Sequence, residues 1–149
     1  MSNSQFVYVI YIRTTAQKLW EALTTPEFMK QYWYGVVGES GWTPGSSWKL
    51  ILPDGRVADT GEILEAEPMK RLMIKWRNEF RPELKAEGYT RCTMEIEQDG
   101  DVAKLSIVHE IDIADSKTIE AVSGGWPRIL SNLKTLLETG TVLSATKAA

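Results

Sequence analysis

The pattern of apolar and polar positions along the chain predicts its elements in order. Phe6 to Ile12 is β-branched and aromatic throughout, which predicts a strand. Thr14 with Gln17 three residues on forms a capping-box pattern, and Ala16, Leu19, Trp20 and Leu23 recur at helical spacing. Thr25-Pro26 repeats the start signal, and Phe28, Met29, Tyr32 and Trp33 give a second short helix its apolar side. From Gly35 to Ile113 the texture changes to short strands separated by turn residues. Trp48–Leu52 runs through Pro53-Asp54-Gly55 into Val57–Ala66, Glu67-Pro68 breaks that strand, and Arg71–Arg77 follows. Phe80 to Gly88 reads as a loop. Tyr89–Gln98 and Ala103–Ile113 alternate around Asp99-Gly100-Asp101 as a hairpin.

After Asp115, the expected N-cap, Ile119, Val122, Trp126, Ile129, Leu130, Leu133, Leu136 and Leu137 mark a long amphipathic helix. Gly124-Gly125-Trp126-Pro127 predicts a kink or restart within it, since proline lacks a backbone donor and crowds the preceding turn. Gly140 supplies the stop, and residues 141–149 are expected to form a loose tail. One strand, two short helices, about six antiparallel strands and one long helix make an α+β two-layer domain with a core of about residues 6–139. A sheet curved around that helix leaves space between the layers.

Composition narrows the chemistry. The 149 residues carry 17 basic and 20 acidic side chains, a net charge of −3 without a clustered basic patch, which argues against nucleic acid. No apolar run approaches the roughly 20 residues that cross a bilayer, and Met1-Ser-Asn-Ser-Gln has no signal-peptide character, so a cytoplasmic setting is expected. Cys92 and His109 are the only residues of their kinds, too few for a Cys/His zinc site. Six tryptophans are the unusual feature.

Trp20-Glu-Ala-Leu-Thr-Thr-Pro-Glu27 followed by Gln31-Tyr-Trp33, Gly61-Glu-Ile-Leu-Glu65 with Pro68 and Leu72, and Gly125-Trp126 ahead of a leucine-spaced helix resemble the SRPBCC (START-like) superfamily. Within it the chain is similar to the family named after the activator of the heat-shock-protein-90 ATPase, over about Phe6 to Thr139. The resemblance implies the helix-grip fold and a deep cavity between the sheet and the terminal helix. Its members include co-chaperone domains, polyketide cyclases and lipid carriers, so the fold leaves function open.

Alternation puts Leu105, Ile107, His109 and Ile111 on one face of their strand, toward the interior, with Cys92, Met94 and Ile96 beside them. His109 is either a general base or ligand contact in the cavity, or a core histidine whose ring nitrogens are satisfied by neighbours; the second is the plainer reading. Glu110 points the other way and cannot orient it. Cys92 lacks an activating base and reads as an inert thiol. Glu62, Glu65 and Glu67 read as a solvated face and Asp99-Gly100-Asp101 as a turn, so neither a metal nor a cofactor is expected. Large rings suit a pocket for a planar or apolar ligand. The expected function is binding of a small hydrophobic or aromatic molecule by Trp33, Trp76, Met94, His109 and Trp126, with Trp42 near the mouth and Arg77 or Arg91 at the rim. Trp20 is expected in the core and Trp48 has no assigned place. The alternatives are a cyclase- or hydratase-type enzyme using His109 and a chaperone-associated interaction module. Oligomeric state is left open.

Overall fold

The computed structural model describes residues 3–144, so residues 145–149 of the expected tail lie outside the described part. Seven strands form one antiparallel sheet: β1 (Ser4–Ile12), β2 (Val37–Ser40), β3 (Ser47–Ile51), β4 (Val57–Glu67), β5 (Arg71–Asn78), β6 (Thr90–Asp99) and β7 (Val102–Ile111). Their spatial order is β1-β7-β6-β5-β4-β3-β2. From β2 to β7 the strands form an antiparallel meander whose one long connection, between β5 and β6, holds a short helix, and β1 closes the far side by pairing with β7, Phe6 opposite His109. Helices α1 (Ala16–Thr24) and α2 (Pro26–Tyr32) connect β1 to β2, α3 (Pro82–Lys85) lies between β5 and β6, and α4 (Lys117–Thr139) packs mainly on β1. This is the helix-grip arrangement.

Several local expectations shift. Thr15, not Thr14, caps α1 by accepting the Lys18 N–H at 3.2 Å. Gln98 displaces Gln17 from the expected box: its Oε1 accepts the Ala16 N–H at 2.7 Å and its Nε2 donates to the Thr14 carbonyl at 3.2 Å. The stretch expected as a loop, Phe80 to Gly88, holds α3 and, just before its last residue, Glu87, which serves the start of α4. Ser116, not Asp115, is the N-cap there, its Oγ accepting the Ile119 N–H. The Glu87 carboxylate takes the Ser116 hydroxyl at 2.7 Å and the Lys117 and Thr118 amides at 2.8 and 3.1 Å. Partial burial pushes its pKa up, but these bonds outweigh that and hold it below the ordinary carboxylate range. A carboxylate at this end also complements the helix dipole.

Contrary to the expected restart, α4 is one helix of 23 residues with Pro127 inside it. Burial of Trp126, Ile129, Leu130 and Leu133 offsets the single bond that proline omits. Nor is the start of the tail loose: Ser144 N–H donates to Asn132 Oδ1 at 2.9 Å and Asn132 Nδ2 donates back to the Ser144 carbonyl at 2.8 Å. Trp20 is half-buried against the core instead of inside it. Trp48 is almost fully buried, on the inner face of β3 with Leu50.

Candidate ligand-binding site

The inner face of the sheet converges on an aromatic cluster. Across three neighbouring strands Trp48, Gly61 and Trp76 stand side by side. Because Gly61 has no side chain, the two indoles close over it with centroids 4.6 Å apart. A Cβ at Gly61 would lie 1.6 Å from the Lys75 carbonyl oxygen, so no other residue fits there. Trp126 comes down from α4 to 5.8 Å from Trp76, at 75°, and Trp33 at the end of α2 completes the group, 5.4 Å from Trp126. Edge-to-face pairs of this kind add roughly 0.5–1.5 kcal/mol each beyond area burial.

His109 is the polar node behind these rings. The Thr90 hydroxyl donates to the Trp76 carbonyl at 2.8 Å, which spends its one proton. Its oxygen, 2.8 Å from His109 Nε2, therefore accepts the Nε2–H. His109 Nδ1 in turn accepts the indole N–H of Trp126 at 3.2 Å. Every donor and acceptor along this chain is used, and it requires a neutral imidazole. Burial lowers the His109 pKa to about 3. A proton-abstracting base needs a free nitrogen facing substrate, and His109 has none in this geometry. Burial likewise pushes the Cys92 thiol up, away from nucleophilic character.

In front of the cluster lies a slot walled by Trp33, Trp42, Trp48 and Trp76, with Met29 and Met94 beside them. Leu23 and Ile74 complete the lining. The residual cavity is about 10 Å³, room for about one water. The deep cavity implied by the resemblance is thus filled by this chain's own rings. Of the residues expected to line it, Trp33, Trp76 and Met94 do, whereas His109 and Trp126 stand behind Trp76. Trp33 and Trp42 are half-buried at the mouth. Trp42 sits in the loop between β2 and β3 with φ of 56°, a left-handed backbone that bulky side chains rarely adopt. Its ring lies over Gly38, and a Cβ there would come within 3.2 Å of it and 2.9 Å of the Met29 sulfur.

Arg77 and Arg91 are not at this rim. Both sit on the outer face, where Arg77 pairs with Glu79 and stacks on Tyr89 at 4.5 Å, and Arg91 pairs with Glu110 and Asp112 at 3.4 Å. A larger groove of about 670 Å³ also lies on that face, but it is lined by charges such as Lys70, Arg71, Glu95 and Lys104. Arg71 is already engaged by Glu65 at 2.6 Å and Glu95 at 3.5 Å. Among the described residues no group of His, Cys, Asp and Glu is placed to hold a metal ion, and no helix is long and apolar enough to cross a membrane.

Two residues escaped the sequence reading. Thr90 was unremarkable because its role exists only across strands. Asp59 shares the inner face with Gly61, opposite Leu50, and its Oδ2 accepts the Trp76 indole N–H at 2.6 Å. Alternation along β4 gives the signal for Asp59, inward with Gly61 and Ile63. Burial raises its pKa to about 6, against the lowering effect of the indole bond and with a smaller raising contribution from the nearby Glu79 charge.

The sheet, the gripped helix and the match of residues 13–138 to the family described as Activator of Hsp90 ATPase homolog 1-like protein agree. The chain belongs to that family. Among solved structures, the Activator of Hsp90 ATPase homolog 1-like chain is similar to MLL2253 from Mesorhizobium loti, with 20% identity, a TM-score of 0.76, and coverage of 90% of this chain and 96% of the other. It is similar to PFC0360w, an HSP90 activator from Plasmodium falciparum, with 20% identity, a TM-score of 0.72 and coverage of 89% and 95%. CalU16 from Micromonospora echinospora shares the fold at 19% identity and a TM-score of 0.71, covering 89% and 73%. No curated protein matches this member of the family in sequence.

Proposed function

We propose that the chain binds a small hydrophobic or aromatic molecule in the tryptophan-walled slot, with Trp42 as the side chain that gives way. The observation that carries this reading is the slot's make-up: four indoles and two thioethers, its outer wall held on a loop whose Trp42 has left-handed backbone. A bulky residue in that region costs on the order of 1–3 kcal/mol, which reduces the work of moving it outward. Met29 and Met94 are unbranched and adapt to a new neighbour. A ligand would take the volume that the Trp42 ring vacates. The domain of about residues 6–139 acts here as one unit, in a cytoplasmic setting.

Removing the Trp42 ring makes the test direct, because an apolar cavity with no water to displace binds apolar ligands readily. In titrations with 2-phenylethanol, tryptophan emission is expected to saturate, and Trp42→Ala to bind at least about fivefold tighter than the native chain. A linear, non-saturating response in both proteins would overturn the proposal. Membership of the Activator of Hsp90 ATPase homolog 1-like family favours a second reading, a chaperone-associated interaction module, in which the filled interior is scaffold and the exposed surface carries the contact.

A further inference from the structure

The slot's lining is apolar and does not include Asp59, yet that carboxylate holds the indole edge of one of its rings, Trp76. Asp59 is two residues from Gly61 on the same face of β4, so its side chain lies roughly 7 Å along the strand from the point where Trp48 and Trp76 meet. Its one hydrogen bond among the described residues comes from the Trp76 indole at 2.6 Å, and the indole supplies no positive charge. Three cations on the neighbouring strand and helix, Arg77, Lys75 and Lys85, are committed elsewhere. Arg77 and Lys85 both pair with Glu79, Lys85 at 3.3 Å, and Lys75 lies over the Tyr89 ring at 4.7 Å on the outer face. A half-buried carboxylate without a cation is costly to keep ionised, and a structural role in bonding one indole N–H would be met by an uncharged amide. The neighbouring faces of Trp48, Trp76 and Trp33 attract cations through their ring quadrupoles, most strongly where water is excluded.

Resting on the proposed ligand site, we propose that Asp59 makes it selective for an apolar ammonium ion: a protonated hydrophobic amine whose charge pairs with the carboxylate while its body lies among the rings. The complementary ligand is an alkyl or arylalkyl amine, and the site discriminates against the matching carboxylate, whose charge would face Asp59 directly.

Three probes of one shape test this: 2-phenylethylammonium, 2-phenylethanol and phenylacetate, titrated by calorimetry at neutral pH. The amine is expected to bind the native chain at least about tenfold tighter than the alcohol, with phenylacetate weakest. Asp59→Asn keeps an oxygen for the Trp76 indole, so it should fold, retain alcohol affinity within about twofold and lose the amine preference. Equal binding of amine and alcohol to the native chain, tighter binding of phenylacetate, or an amine preference that survives in Asp59→Asn overturns the role of Asp59 while the apolar site stands. Binding of none of the three overturns the site itself and this proposal with it.

Discussion

Gly61→Ala is expected to cost at least about 4 kcal/mol in urea unfolding, enough to abolish cooperative folding if the native margin is ordinary. The added Cβ would stand 1.6 Å from the Lys75 carbonyl oxygen, a backbone atom of the neighbouring strand that cannot rotate aside. Relief requires β4 and β5 to separate where Trp48 and Trp76 close over the glycine, so ladder bonds and ring packing fail together. Gly124→Ala is the control. That glycine lies in α4 with open space around its missing Cβ, and alanine there should stabilise by up to about 1 kcal/mol. Equal, mild effects from both substitutions would show that the close approach at Gly61 is not a constraint.

The second large effect is expected at His109. His109→Ala removes a fully buried ring, leaves the Trp126 N–H without its acceptor and takes from the Thr90 oxygen the donor it accepts, a combined loss of roughly 3–5 kcal/mol. A pH signature accompanies it. The native state holds His109 neutral down to about 3, whereas the unfolded chain takes up that proton below the ordinary value of 6.5. The unfolded state therefore binds more protons in this window, and stability falls as pH drops through it, by up to about 1.4 kcal/mol per pH unit. Asp59 has the opposite sign. Its pKa is raised from 3.8 to about 6, so the native state binds more protons between those values and stability rises as pH falls across them. The two slopes oppose each other where the windows overlap. Asp59→Asn should accordingly steepen the acid loss relative to the native chain, and His109→Gln should flatten or reverse it. Urea midpoints for the three proteins across this interval check both signs; parallel curves would refute the assignment of either group.

The succession of elements along the chain, the inward turn of His109 and the terminal helix were legible because alternation and helical periodicity are local properties. The pairing of β1 with β7, by contrast, joins the two ends of the sheet's sequence. What escaped was decided by partners distant in sequence. His109 faces inward by pattern alone, but its neutrality depends on Thr90 one strand away and on Trp126 from the last helix. Glu87 lay in what read as a loop, and nothing nearby signals that its carboxylate caps α4. The Pro127 restart failed for the same reason, since tertiary burial of the helix outweighed a local break. The resemblance implied an open cavity, yet cavity volume is set by side-chain bulk, and Trp48, which had no assigned place, is one of the rings that fill it. Asp59 was hidden by its type, because a carboxylate near a turn ordinarily faces water.

Indole N–H resonances give the most direct test of ligand binding among the tryptophans. With 2-phenylethanol titrated into nitrogen-15-labelled protein, the signals of Trp33, Trp42, Trp48 and Trp76 are expected to shift together and saturate at one midpoint. Trp20, half-buried on α1 and absent from the slot lining, should stay in place. Six unmoved indole signals, or a shift confined to Trp20, would contradict the account.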